Sequence, residues 1–258
     1  MCAVTVCVWV SPFITIRPMW IVCLSCWLRR GPQFPRNPLL LMTADSSPSM
    51  PLIVAIDGPA ASGKSSVAEL LAQHLGVPFL NSGAMYRAVA LACQRASVDL
   101  DDPLAAGEVA AGLELDFDSS GALLVGGEIW DVGGEEVGEL ASRVAQHGPV
   151  RHAMVARQRI LGRHHGCVAE GRDIGTVVFP EAPLKVFLMA SPGVRAMRRA
   201  EQEGHPERAS EYEQELRERD RRDRERSIAP LRPAAGALEL NSDDLTLEQV
   251  VASILGAL

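Results

Sequence analysis

The chain has 258 residues, a formal net charge of −7 and 47% hydrophobic residues, enough for one sizeable core or one core with a small inserted module. The first fifty residues hold four arginines against one aspartate, leaving −10 on the remainder, which argues against a broad nucleic-acid-binding surface. An anionic ligand must therefore be held by clustered arginines or by backbone amides.

Residues 1–50 differ in composition from the rest of the chain: they contain four of the six cysteines and three of the four tryptophans. Their uncharged runs, Met1 to Ile16 and Pro18 to Leu28, fall short of the roughly 20 apolar residues a membrane span requires. No positive residue precedes the apolar part, a poor fit to a secretory signal. Cys23 and Cys26 have CxxC spacing but no second ligand pair. This head is expected to be dispensable or disordered, with Met42 or Met50 as a candidate first residue. Cys93 and Cys167 lie in apolar runs and read as reduced core thiols, so a cytoplasmic location is the default.

From Leu52 the pattern becomes regular. "LIVAID" reads as a buried parallel strand, "GPAASGKSS" comes directly after it, and "VAELLAQHLG" places Val67, Leu70, Leu71, His74 and Leu75 on one helical stripe that Gly76 ends. Gly58 to Ser65 fits G-x-x-x-x-G-K-[ST]. Its glycines let backbone N–H groups surround phosphates, and the helix N-terminus adds a positive dipole end. Lys64 is expected to reach the β/γ oxygens and Ser65 to offer Mg²⁺ a hydroxyl. The nucleoside-triphosphate-binding set is thus Gly58, Pro59, Ala60, Ala61, Ser62, Gly63, Lys64, Ser65 and Ser66.

"VPFLNSGAMYR" is the next strand, entering a helix at Ser82 with Arg87 one turn inside it. "LELDFDSSGALLVGGEIWDVGG" alternates like short strands, with turns at Ser119-Ser120-Gly121 and Gly126-Gly127. "GCVAEGRDIGTVVFP" runs a strand into Arg172-Asp173, at the strand end where open α/β sheets bind ligands. A structural turn salt bridge is the competing reading of that pair. "LKVFLMA" is another strand, followed by a helix capped by Ser191 with Pro192 at its first position. Arg195, Arg198 and Arg199 share a face of that helix, as lid arginines neutralising phosphoryl charge would; plain solvated arginines are the alternative. "ALELNSD" and "TLEQVVASILGAL" supply a last strand and a helix with a Thr246/Gln249 capping box.

Every residue from Arg217 to Arg226 is charged. Such runs are usually solvated faces laced with i,i+4 pairs. At about 100° per residue, however, the stripe begun by Ala209, Tyr212 and Leu216 continues through Arg219, Asp223 and Arg226, while Glu218, Arg221, Arg224 and Glu225 fall outside it.

"IDGPAASGKSS", "NSGAMYR", "EGRDIGTVVFP" and "RERDRRDRERSIAPL", in that order, resemble bacterial cytidylate kinases from about Leu52 to the C-terminus. The resemblance implies an α/β fold: an open parallel five-stranded sheet of P-loop nucleoside monophosphate kinase type, a β-rich insertion at about 109–147 and a helical lid at about 195–212, within a domain spanning 51–258. It implies γ-phosphoryl transfer from ATP, with Mg²⁺, to CMP or dCMP. Ser82, Arg87 and Arg172 match residues that hold the acceptor phosphate, and Ser142, Arg151 and Asp173 match residues that read cytosine. Arg219 and Asp223 match contacts to the sugar, and Arg226 a contact to the phosphate and to Asp223. Lys64, Arg172, Arg195 and Arg199 are the expected catalytic groups. Asn81 stands where the family usually has Asp, and an Ile-Arg segment common near 132–140 is missing. A monomer acting on nucleotides, without nucleic-acid or membrane partners, is expected. The alternatives are a shikimate-kinase-like enzyme and an NTP-hydrolysing switch, although the switch's NKxD motif is absent.

Overall fold

The computed structural model describes residues 51–118 and 121–258. The N-terminal head, with its CxxC pair and candidate start residues, and the Ser119-Ser120 part of the first insertion turn lie outside the described residues.

Strands β1 (Ile53–Asp57) and β6 (Cys167–Gly171) are buried at every position, as unbroken apolar runs covered on both faces should be. With β2 (Phe79–Asn81), β7 (Leu184–Met189) and β8 (Leu238–Asn241) they form one sheet in the order β2-β6-β1-β7-β8, with every pairing parallel. The expected five-stranded parallel sheet is therefore present. Successive residues of β1 serve opposite cores, because strand side chains alternate. Val54 and Ile56 pack with α1 (Lys64–Leu75) and α8 (Leu247–Leu255), whereas Ile53 and Ala55 pack with α2 (Ser82–Arg95) and α5 (Gly148–His165).

The buried stripe of α1 is Val67, Ala68, Leu71 and Ala72; His74, expected on it, is exposed and bonds Leu70 O at 2.8 Å. The two alanines shift the contact line and let the helix lie close to the sheet. Gly76 ends α1 in the left-handed conformation, φ 63°, as expected. Asn81 caps α2, its Oδ1 accepting from Ala84 N at 2.9 Å. An amide performs the capping role as well as the family's usual carboxylate would.

After α3 (Pro103–Gly112), the antiparallel strands β3 (Leu115–Phe117), β4 (Leu123–Val125) and β5 (Glu128–Ile129) form a second, small sheet. Gly126 and Gly127 make the two-residue hairpin turn, with φ of 59° and 84°. α4 (Glu135–Val144) comes next and packs against α2.

Beyond β7, helix α6 (Pro192–Gln202) leads through a 3₁₀ turn, Pro206–Arg208, into α7 (Ala209–Glu225). Ala196 and Ala200 admit Tyr212 and Leu216 of α7, and Ala60 of the phosphate loop joins the same cluster. Ser191 sits at the start of α6, but its hydroxyl makes no cap bond; its N–H instead donates to Asp243 Oδ1 at 2.7 Å. The Thr246/Gln249 capping box is formed.

Candidate active site

The C-terminal ends of β2 and β6 and the segments following β1 and β8 line one cleft of about 1300 Å³. The phosphate loop forms its floor. Gly58 passes so close to β7 that a Cβ there would lie 2.1 Å from Leu188 O, so only glycine fits. Ala61 (φ 57°) and Gly63 (φ 87°) take the left-handed conformation that curls the loop. Lys64 is buried at the start of α1, its Nζ donating to Pro59 O at 2.6 Å and lying 3.4 Å from Ser62 Oγ. Burial, aided by the Arg172 charge, lowers its ammonium to about 7.

Ser65 Oγ donates to Glu170 Oε1 at 2.7 Å. Glu170, the penultimate residue of β6, lies beside the loop, so a hydroxyl and a carboxylate meet where a nucleotide's phosphates would lie. These hard oxygen donors suit Mg²⁺, which characteristically takes one or two protein oxygens and completes its shell with phosphates and water. Among the described residues, no group of three or more His, Cys, Asp or Glu is placed to hold a metal ion.

The opposite wall is built from side chains. Ser82 opens α2, and Gly171 makes room for it: a Cβ at Gly171 would sit 2.6 Å from Ser82 Oγ. Asp173 pairs with Arg151 of α5 in a buried contact, and Arg151 Nη1 also donates to Ala145 O at 3.2 Å. Arg172 Nε donates to Asp223 Oδ2 at 2.9 Å. Arg226 lies 3.8 Å from Asp173 and 4.0 Å from Asp223. Burial pushes the Asp223 carboxyl up, but the Arg172, Arg219 and Arg226 guanidiniums outweigh it and hold the group below the usual range. Burial, with Arg172 nearby, lowers Arg219 to about 10.

The wall carries more guanidinium donors than the protein satisfies. Buried N–H groups of Arg87, Arg219, Arg222 and Arg226 have no hydrogen-bond acceptor. Each such orphan costs about 1–3 kcal/mol, a cost that an anion bearing several oxygens would remove. Ser142, Arg87, Arg151, Arg172, Asp173, Arg219, Asp223 and Arg226 all line the one cleft. The inward stripe of α7 therefore faces the site, while Arg221, Arg224 and Glu225 lie off it; Glu218, expected with them, is exposed but borders the cleft.

The three expected lid arginines separate. Arg195 is 2% exposed and turned away from the cleft, bonding Asp220 at 2.7 Å, Ala60 O at 3.1 Å and Ala190 O at 3.0 Å. This geometry makes it a brace between α6, α7 and the phosphate loop rather than a group aimed at phosphate. Arg198 is committed to Ser242, at 3.0 Å to Oγ and 2.7 Å to O. Arg199 reaches the cleft and pairs with Glu203 at 2.8 Å.

Sequence reasoning missed Glu170, Asp220 and the Glu139–Arg222 bridge, which joins α4 to α7 at 2.5 and 2.9 Å. A lone acid near the end of a buried strand beside the phosphate loop was the available signal for Glu170. Asp220 lies four residues after Leu216, a helical spacing that places it on the α6-facing side.

The cytidylate kinase family profile matches residues 54–258. The chain belongs to the cytidylate kinase family. Relatives in that family include the cytidylate kinase of Burkholderia thailandensis, 48% identical over 207 residues, covering 79% of this chain and 91% of that one. The cytidylate kinase of Ralstonia pickettii is 46% identical over 217 residues, covering 82% and 94%. Solved structures similar to this chain include a gluconokinase from Sinorhizobium meliloti, with 17% identity, TM-score 0.44, and coverage of 81% of this chain and 91% of that one. A shikimate kinase from Bacteroides thetaiotaomicron shows 15% identity and TM-score 0.41, with coverage of 81% and 98%. Among the described residues of this cytidylate kinase family member, no helix is long and apolar enough to cross a membrane.

Proposed function

We propose that the protein transfers the γ-phosphoryl of ATP to the phosphate of CMP or dCMP, giving ADP and CDP or dCDP. The observation that carries this reading is the wall of buried, acceptor-less guanidinium N–H groups opposite an intact phosphate loop. A nucleoside monophosphate supplies the missing oxygens, and its base meets the Arg151–Asp173 pair. Cytosine offers an exocyclic amine to the Asp173 carboxylate and ring acceptors to Arg151 and Ser142.

Ser82, Arg87, Arg172 and Arg226 hold the acceptor phosphate, while Arg219 and Asp223 hold its sugar. An oxygen of that phosphate, already ionised near neutral pH, attacks the γ-phosphorus in line, so no general base is needed. Lys64, the loop N–H groups, Arg172 and Arg199 stabilise the charge spread over the transferring group. Ser65 and Glu170 would hold Mg²⁺, whose chemistry there is to neutralise the β- and γ-phosphate oxygens. The insertion at about 109–147 closes over the monophosphate and the lid at about 195–212 over ATP, excluding water. The protein works as a cytoplasmic monomer within residues 51–258.

One assay tests the reading: ATP consumption with CMP, dCMP, UMP, AMP, shikimate or no acceptor. Rapid turnover with CMP and dCMP alone is expected. Equal turnover with shikimate, or hydrolysis without acceptor at a comparable rate, overturns it.

A further inference from the structure

Asp173 precedes a π-helical turn, Ile174–Val178. The first N–H groups of any helical turn lack partners within it, and the residue before the turn normally supplies them with a side-chain acceptor. Asp173 is well suited to that task, yet its carboxylate makes no cap bond and is turned to Arg151. The acceptor comes instead from another strand. Asp57, at the end of β1 and immediately before the phosphate loop, accepts from Ile174 N with Oδ1 at 2.8 Å and from Gly175 N with Oδ2 at 2.7 Å. Asp57 is only 2% exposed. Its charged neighbours are Lys64 and Asp173, and burial raises its carboxyl to about 6 despite the two backbone bonds. So unfavourable a burial, held by both oxygens, points to a positional task.

We propose that Asp57 is a positioning residue for acceptor recognition: by capping the turn after β6 in place of Asp173, it leaves the Asp173 carboxylate directed at Arg151 and the base. Both groups sit on consecutive supports, since Asp57 is covalently joined to Gly58 of the phosphate loop and pairs in register with Gly171 of β6. The same carboxylate thus fixes the acceptor-binding turn relative to the loop that holds the donor. Without it, Ile174 and Gly175 N–H become orphans, and Asp173 is the nearest acceptor in sequence able to take them.

The inference rests on reading Asp173 as a base-recognising group, and the test separates the two. In Asp57→Asn, an amide NH₂ confronts one of the two N–H donors, so one cap bond is lost with little change in volume. Steady-state kinetics should show the KM for CMP raised about tenfold, the scale of one charge-assisted hydrogen bond. The ratio of kcat/KM for CMP over UMP should fall, with KM for ATP changed much less. Ile254→Ala, at a buried α8 position packed on α1, provides the comparison for a general loss of stability. If Asp57→Asn merely matches Ile254→Ala, the inference is wrong. If Asp173→Ala alters CMP KM and base choice while Asp57→Asn does not, only this inference fails. If Asp173→Ala alters neither, the reading of the site fails with it. The unsubstituted enzyme gives an independent measurement, valid even if Asp57→Asn does not fold. Hydrogen exchange at Ile174 and Gly175 should be slow without ligand, and rapid exchange there overturns the proposal.

Discussion

Under the proposed function, the donor and acceptor halves of the cleft bind anions in opposite ways. The donor half is one continuous segment, Gly58 to Ser65, whose backbone provides the cradle and whose buried Lys64 already bonds Pro59 O at 2.6 Å. The acceptor half gathers side chains from α2, α4, α5, the end of β6 and α7, and leaves guanidinium N–H groups without acceptors. A backbone cradle is complete before the ligand arrives, whereas a guanidinium wall is complete only with it. Substitutions in the first half should therefore separate catalysis from stability, and those in the second should move binding.

The largest effect is expected at Lys64. In Lys64→Ala, kcat should fall by about 10³-fold or more, as for other groups that stabilise transition-state charge. The thermal midpoint should hold or rise, because burial already penalises the ammonium. A fall in the midpoint parallel to the loss of rate would erase the contrast between the halves.

Arg195 provides the next test, because it sits among lid arginines yet lies outside the cleft. Arg195→Ala leaves Asp220, 3% exposed, as a buried unpaired charge, which should cost about 3–5 kcal/mol in urea unfolding. Turnover per folded molecule should change little. The double replacement Arg195→Met with Asp220→Leu should recover most of the loss; a rate collapse that persists in it would make Arg195 catalytic after all.

The same contrast governs how much could be read from the sequence. The strand–loop–helix geometry of the donor half was legible, because a strand, a glycine loop and a helix start lie consecutively and their spacing is set by backbone geometry. The sheet was legible because β1, β6 and β7 are short, predominantly apolar runs bounded by Gly, Pro or Asp. Arg172, Asp173 and the inward stripe of α7 were legible as candidates through strand-end position and helical period, though their partners were not. Pairings such as Ser65 with Glu170, 105 residues apart, or Arg195 with Asp220 depend on how distant segments meet. Spacing within one helix gave Arg195, Arg198 and Arg199 the same face, but only packing shows that the first braces α7 while the other two border the cleft, Arg198 bonded to Ser242 and Arg199 to Glu203.

Asp173→Ala should act on binding. Removing a charge-assisted contact is worth about 1.5–3 kcal/mol, or roughly a ten- to hundredfold rise in KM for CMP. The KM for UMP, whose exocyclic oxygen presents no donor to the carboxylate, should change less. Steady-state kinetics with both acceptors measures the difference, and equal losses would remove Asp173 from base recognition.

The smallest effect is expected at the bridge between Glu139 and Arg222, a contact that ties the insertion's α4 to α7 across the cleft mouth. The Arg222 hydrogen bond holds Glu139 below the usual carboxylate range. A carboxyl depressed in the folded state contributes stability that is present at neutral pH and lost as pH falls through its folded value. The Arg222 and Glu139 side chains are 25% and 52% exposed, so water screens the pair and its net worth is about 0–1 kcal/mol. Glu139→Gln should thus raise the KM for CMP by no more than about fivefold. The difference from wild type should vanish near 1 M salt, where the screening length falls to about 3 Å. The buried Asp173 effect should survive that salt. If both vanish together, the acceptor wall is solvated and its guanidiniums are not held dry for the ligand.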